Sequence, residues 1–383
     1  MKVLHVIPSL SPVHGGATRA VLLMEQALRG QGVEVETAAT DDDGPGRRNG
    51  KPCGRPLRGE DGLVRWYFPK RAEFYKPAPA FARWIAGAAR DYDLLHLHAL
   101  FSFTTTAAAR AARRAGVPYI VEPIGTLNRY GLHQRRPWLK QLSLALVEGP
   151  VLRHAAALRF TSEQEAEEAR ALGIPWREAV IPLGLEEAAF DGLERPPAPA
   201  EANRLLFLSR LDPKKNLEGL LDAFAALVPA HPQLRLTVAG AGDAAYVAQL
   251  KARAAALGLD GHVTWAGHIE GERKAEALRT ADVFVLPSFS ENFGIAAAEA
   301  LAAGLPCLLG EGVAIAKDVA EAGAGLAVAP DAPSVAAGLR RMIGARGDLA
   351  AMSAQARRLA HSRFSAQAMG LRLKQLYSDI LTP

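Results

Sequence analysis

The stretch 281–309, ADVFVLPSFSENFGIAAAEALAAGLPCLL, places two carboxylates eight residues apart, Glu291 and Glu299. An apolar run enters the turn PSFSENFG and leaves as an Ala-rich helical segment. Such a turn brings the backbone N–H groups of Asn292, Phe293, Gly294 and Ile295 to a helix N-terminus, where amides and the helix dipole favour an anion. Gly294 lets a ligand come close to the backbone. Glu299, about one turn into the helix, is placed to accept hydrogen bonds from a vicinal diol. Either glutamate alone reads as an ordinary helix-end or exposed acid. The strand–turn–helix arrangement as a whole points to a ligand that is both anionic and hydroxylated.

A second stretch, RLLFLSRLDPKKNLEGLLDAF (204–224), sets Arg210 at the end of an apolar run and Lys214 and Lys215 at the opening of the next helix. Cations at the carboxyl end of a strand suit a diphosphate, and a leaving diphosphate needs its developing charge stabilised. Lys214 equally reads as part of a solvated turn. In VIPSLSPVHGGATRAV, Gly15 and Gly16 form a turn between the first strand and first helix, where a phosphate or sugar can touch backbone. In DLLHLHALFSF (93–103), strand alternation puts His96 and His98 on one face. His98, at the carboxyl end, can act as acid, base or hydroxyl ligand; His96 reads as structural. LRLTVAGAGDAA carries Gly240, Gly242 and Ala245 in the G-x-G-x-x-A spacing of a dinucleotide fingerprint. No acidic residue closes a second strand in the required way, since Asp260 lies in a Gly-rich turn, so the spacing reads as shaping a nucleotide pocket.

These groups need a frame. KVLHVIP (2–8) reads as a strand and 17–30 as a helix with Ala20, Met24, Ala27 and Leu28 on one face. VEVETAAT, LVRWYF, DLLHLHA, VPYIVEP, ALRFTS and AVIPL follow as strand candidates, most separated by helical stretches. After the Pro-rich ERPPAPAEAN a second series begins: RLLFLSR, LRLTVAG, HVTWAG, ADVFVLP, LPCLLG and GLAVA. Alternating strands and helices build doubly wound parallel sheets. The expected fold is α/β: two Rossmann-like domains, 1–185 and 204–365, joined by a linker at 186–203. A terminal helix at about 366–383 is expected to pack back on the first domain. Ligands bind at the carboxyl ends of such strands, and a cleft between two such domains is the natural active site. The Gly-rich, charged 41–62 reads as a mobile loop.

Length and composition narrow the classes. A chain of 383 residues suits two domains. With 49% hydrophobic and 22% charged residues it is neither disordered nor collagen-like. Its apolar runs are broken well short of a membrane-spanning helix. The N-terminus reads as a strand, not a signal peptide. Cys53 and Cys307 form no metal spacing and no disulfide framework, which suits a reducing cytoplasm. A net charge of +5 fits an anionic ligand or membrane surface and is too small to argue for nucleic acid.

Together these residues resemble the retaining family-4 glycosyltransferases of the GT-B fold, of the bacterial cell-surface polysaccharide type. The run Glu291-Asn-Phe-Gly-Ile-Ala-Ala-Ala-Glu299 matches that family's E-x7-E motif, and Arg210 with Lys215 is spaced as its diphosphate-binding pair. By resemblance, Glu299 would bind the nucleotide ribose and Glu291 the donor hexose. Asn292, Phe293, Gly294 and Ile295 would hold diphosphate and sugar through backbone. Gly15 and Gly16 would approach the diphosphate, and His98 would touch the transferred sugar. Gly240 and Gly242 fall where the family places its G-x-G-D, and Gly267, His268 and Ile269 would lie against the nucleobase. His98, Glu291, Arg210 and Lys215 are then the catalytic candidates. The implied reaction moves a hexose from a UDP- or GDP-sugar to a hydroxyl of a glycan or polyprenyl-diphosphate-linked acceptor, with retention. The resemblance implies no essential metal and no cofactor beyond the sugar nucleotide, and the sequence shows no Asp-x-Asp and no ligand cluster of metal spacing. VIPLGL (180–185) departs from the Asn–Gly pair of many relatives, so Leu183 and Leu185 receive no role. Residues 107–159 hold nine Arg/Lys against Glu122 and Glu148. There Arg135, Arg136, Trp138, Lys140, Leu142, Leu144 and Leu146 mix basic and apolar character, as in a helix lying on anionic lipid. An NAD-dependent oxidoreductase and a non-catalytic sugar-nucleotide-binding protein are the alternatives.

Overall fold

The computed structural model describes residues 1–127, 138, 142–190, 202–344 and 348–382. The chain divides into two compact units: Met1–Gly184 with Ala366–Pro383, and Leu185–Ser365.

The first unit is built on an eight-stranded sheet of order β3-β4-β2-β1-β5-β6-β7-β8. Its strands are β1 (Lys2–Ser9), β2 (Glu34–Thr40), β3 (Pro56–Arg58), β4 (Val64–Phe68), β5 (Leu94–His98), β6 (Tyr119–Glu122), β7 (Ala157–Phe160) and β8 (Glu178–Val180). All neighbours run parallel except β3 on β4. The helices are α1 (Gly16–Gly30), α2 (Pro79–Ala88), α3 (Phe103–Ala115), α4 (Gly149–Arg153) and α5 (Glu163–Arg170). Both faces of the sheet are apolar because both are covered, as parallel sheets require. Leu4, Val6, Leu95 and Leu97 pack with Phe81 and Phe160 on one side. Val3, Ile7 and Leu94 pack with Met24, Leu373 and Tyr377 on the other.

The second unit has a six-stranded sheet of order β11-β10-β9-β12-β13-β14. Its strands are β9 (Arg204–Leu208), β10 (Arg235–Ala239), β11 (Val263–Gly267), β12 (Val283–Leu286), β13 (Cys307–Gly310) and β14 (Gly325–Val328). Its helices are α6 (Leu217–Ala225), α7 (Ala244–Ala256), α8 (Gly271–Thr280), α9 (Ile295–Ala302), α10 (Ala316–Glu321), α11 (Ala332–Ile343) and α12 (Asp348–Phe364). Relabelled from its first strand, the order is the 3-2-1-4-5-6 of a dinucleotide-type doubly wound sheet. The last helix, α13 (Ala366–Leu381), belongs to the first unit, where Met369, Leu373, Leu376 and Tyr377 are buried.

Three expectations need correction. Segment 41–62 is not only a loop. It contains β3, and its second residue, Asp42, is fully buried and takes bonds from His14, Lys70 and Lys76. Burial opposes ionisation there, but the two lysines and the His14 hydrogen bond hold the carboxyl down to about 2. The last strand of the first sheet is Glu178–Val180, so most of AVIPL lies beyond it. Lys214 and Lys215 do not open α6 but close a one-turn 3-10 segment, after which Asn216 caps the helix at φ 55°. Arg135, Arg136 and Lys140, and linker residues 191–201, lie outside the described residues.

Candidate functional site

In an open parallel sheet, the crevice forms where strand order reverses, because the loops on either side leave in opposite directions. In the second unit that point lies between β9 and β12, which pair directly. The loop after β9 carries Arg210 and Lys215, and the loop after β12 runs from Pro287 to Gly294. The two loops are tied by backbone: Phe289 N–H donates to the Lys214 carbonyl at 2.9 Å. Asn216 braces both, its amide donating to the Pro287 carbonyl at 3.1 Å and to the Pro330 carbonyl.

Side chains from the two loops meet. Lys215 is buried and its ammonium pairs with Glu291. Burial, with Arg210 and Lys214 nearby, pushes that ammonium down to about 8, Asp212 opposing. The Glu291 carboxylate also opposes the fall by its charge, so the downward direction rests on burial and like charge. Arg210 is exposed two residues beyond β9. Glu291 is fixed by its own backbone: its N–H donates to Gly312 at 2.8 Å, and its carbonyl accepts from Ala314 at 3.0 Å.

Gly294 caps α9 in the left-handed region at φ 87°, and no side chain caps that helix. Asn292 and Ile295 are exposed there. Phe293 turns inward, 3% exposed, edge-on to Phe364, so only its backbone can face a ligand. Glu299 lies on the second turn of α9, where Lys274 of α8 donates to its Oε1 at 2.8 Å. Gly267 stands at φ 66°, Ile269 is buried, and exposed His268 meets Glu270 at 2.9 Å.

Gly240 and Gly242 serve packing. A Cβ on Gly240 would lie 1.8 Å from the Ser209 carbonyl oxygen, and one on Gly242 would lie 2.2 Å from that of Leu211. Leu211 N–H donates to Ala241 at 2.8 Å. These glycines let the β10 loop lie flat against the Arg210 loop, which accounts for the dinucleotide-like spacing without a dinucleotide.

In the first unit, order reverses between β1 and β5. Gly15, at φ 64°, and Gly16, the first residue of α1, follow β1. Neither would meet an atom within 4 Å through an added Cβ. His98 ends β5, but its ring is fully buried. Its Nδ1 lies 2.9 Å from Glu122 Oε2 and its Nε2 3.1 Å from His5 Nδ1. Tyr377 of α13 bonds His96 Nδ1 at 2.7 Å, and Arg159, wholly buried, pairs with Glu122.

Burial raises the Glu122 carboxyl, but Arg159 and His98 more than offset it, and the net direction is down. Burial first, then like charges, lowers His5 and His96 well below the usual histidine range. The ionised Glu122 therefore accepts from the His98 ring, whose other nitrogen bonds His5. Among the described residues, His5, His96 and His98 are the only group whose ligand atoms converge as for a metal, within 4.8 Å. The hydrogen bonds just described engage most of those nitrogens.

Two family models cover most of the chain. A "Glycosyl transferase 4-like domain" matches residues 15–184, and "Glycosyl transferases group 1" matches 193–359. The chain belongs to the family-4 glycosyltransferases of the GT-B fold. A phosphatidyl-myo-inositol mannosyltransferase of Mycolicibacterium smegmatis is 29% identical over 317 residues, 79% of this chain and 74% of that one. Among solved structures, sucrose-phosphate synthase from Thermosynechococcus elongatus superposes with a TM-score of 0.72 at 21% identity, covering 99% of both chains. HepE of Anabaena, in complex with UDP, gives 0.73 at 19% identity, covering 99% of this chain and all of that one.

In this glycosyltransferase, sequence reading missed Lys274, Asn216, Gly310 and Gly312. Added Cβ atoms at Gly310 and Gly312 would lie 2.7 and 2.1 Å from the carbonyl oxygens of Ser288 and Phe289. Only the glycines gave a local signal, in the repeated Gly of LLGEG. Lys274 is 25 residues from its partner, beyond any spacing rule.

Proposed function

We propose that the protein transfers a hexosyl group from a nucleoside diphosphate sugar to a hydroxyl of a glycan or lipid-linked acceptor, with retention and without an essential metal, in the synthesis of a cell-surface polysaccharide. The observation that carries this reading is the meeting of Lys215 with Glu291 at the switch point of the second sheet, beside exposed Arg210. Arg210, Lys215 and the α9 N-terminus neutralise the leaving diphosphate. Glu291, released from Lys215 by the arriving phosphates, contacts the hexose, and Glu299 accepts from the ribose. The bond from the anomeric carbon to the phosphate oxygen breaks, the bond to the acceptor oxygen forms on the same face, and the acceptor proton passes to the leaving diphosphate. HepE's complex with UDP supports a uridine donor, and the mannosyltransferase supports a hexose.

The acceptor reading has its own support. The relative's name gives it a lipid acceptor, phosphatidyl-myo-inositol. In this chain Trp138, Leu142 and Leu146 are 64%, 50% and 67% exposed, which suits a peripheral contact with the inner face of the cytoplasmic membrane. No helix among the described residues is long and apolar enough to cross a membrane.

Calorimetry against UDP-, GDP- and ADP-sugars, with and without magnesium, and against NADH and NADPH, tests the donor. Binding of one sugar nucleotide regardless of metal is expected, with turnover lost in Arg210→Ala and donor binding weakened in Glu299→Ala by about 1.5–3 kcal/mol. No response to any sugar nucleotide would overturn the reading. Flotation with anionic liposomes at low salt decides the membrane contact.

A further inference from the structure

Glu299 sits on a helix that offers its side chain little lateral support. Its same-face neighbours are Ala296, Ala302 and Ala303, too short to wedge a glutamate, and Ile295 at the helix start, which is 47% exposed. A glutamate free to rotate gives up rotamer entropy when it must aim at a diol. Lys274 removes that freedom. It stands on the first turns of α8, its side chain one-third exposed against 18% for Glu299, and donates to Oε1 at 2.8 Å. With one oxygen anchored, Oε2 keeps a set direction and its capacity to accept. Arg273, next to Lys274, donates to the Ala266 carbonyl at 3.3 Å, so α8 is tied to the end of β11 as well as to α9.

We infer that Lys274 is a positioning residue for nucleoside recognition: by anchoring Glu299 it sets the preference for a ribonucleotide over its 2′-deoxy form. The inference rests on the donor reading of Glu299. It assigns Lys274 no contact with the ligand, and its effect passes through the carboxylate alone.

The test is calorimetric titration of the full chain with UDP and 2′-deoxy-UDP, and with GDP and 2′-deoxy-GDP as a second pair. The proteins are wild type, Lys274→Met, Lys274→Arg, Glu299→Gln and the Lys274→Met/Glu299→Gln double variant. The wild type is expected to prefer the ribonucleotide by about tenfold to a hundredfold, the worth of a charge-assisted hydrogen bond. Lys274→Met is expected to erase about threefold to tenfold of ribonucleotide affinity while moving the deoxy form little. Lys274→Arg restores it, and the double variant binds no more weakly than Glu299→Gln alone. Equal weakening of ribo and deoxy forms in Lys274→Met, failure of Lys274→Arg to rescue, or losses that add in the double variant would each overturn the inference. If Glu299→Gln leaves the ribose preference intact, the donor role of Glu299 fails first. If the wild type binds neither nucleotide, the transferase reading falls with it.

Discussion

At the scale of single residues, the two units treat buried charge differently. In the first, Arg159, Glu122, His98, His5 and Tyr377 form a closed row whose polar groups largely satisfy one another. In the second, Lys215 and Glu291 are a pair beside open loops, and a diphosphate can compete for the ammonium. An ammonium pushed down to about 8 is charged below that pH and neutral above it. In the proposed reaction its service to a leaving diphosphate is therefore full on the acid side and lost as pH rises through about 8. The donor kcat/KM, which reports free-enzyme groups, is expected to be level below pH 8 and to fall above it. Lys215→Arg should remove that alkaline fall, since a guanidinium keeps its proton. A wild-type profile flat through that region, or an unchanged one in Lys215→Arg, would remove Lys215 from this role. The placement of Arg210 and Lys215 after β9, and of the two motif glutamates after β12, was legible because each sits in a short local spacing. Arg159 and Glu122 left a visible signal too, a charge inside an apolar strand run, as in ALRF and YIVE. Lys274 left none, because nothing local links α8 to Glu299.

At the scale of elements, the loops of the second unit are zipped together through positions where a side chain has no room. Gly242 is the clearest: its Cβ would meet Leu211 at the carbonyl oxygen and, at 2.8 Å, at Cβ, and backbone cannot step aside as a flexible side chain would. Gly242→Ala is expected to cost about 1–3 kcal/mol, the usual range for overpacking. It should also weaken donor binding, because the displaced loop carries Arg210. Gly16→Ala, where a Cβ meets nothing within 4 Å, serves as the stability control and should stay within about 0.5 kcal/mol. Thermal unfolding of the two variants checks this, and equal melting temperatures would refute it. The buried strands were legible as apolar runs bounded by turns, since parallel strands covered on both faces carry no alternation to hide them. Strand order was not legible, because pairing depends on crossovers that the runs do not encode. The three-residue β3 was invisible because a single Leu57 between Pro56 and Arg58 makes no periodic pattern. The glycine spacing at 240–245 was seen, but its close packing on Ser209 and Leu211 was not, since sequence cannot tell a glycine facing a ligand from one facing a neighbouring loop.

At the scale of the whole molecule, the chain leaves its first unit at Gly184 and returns at Ala366, so the second unit is one continuous segment and the first is not. The returning helix α13 is part of the first unit's core. Gly370 packs so closely on α1 that a Cβ would lie 2.7 Å from the Ala27 carbonyl oxygen, and Lys374 donates to the Gln31 carbonyl at 2.7 Å. Met369, Leu373, Leu376 and Tyr377 are buried there. At about 1.5–3 kcal/mol for each large apolar side chain, losing all four rivals the whole stability of a domain, about 5–15 kcal/mol. Residues 185–365 made alone should therefore unfold cooperatively and bind the donor nucleotide, since every candidate from Arg210 to Glu299 lies within them. Residues 1–365 should keep that binding while the first unit loses its native packing, read as lost amide protection on β1 and β5. Supplying 366–383 as a peptide should restore that protection. A fully protected first unit in the 1–365 protein would show that α13 covers the sheet without holding it together.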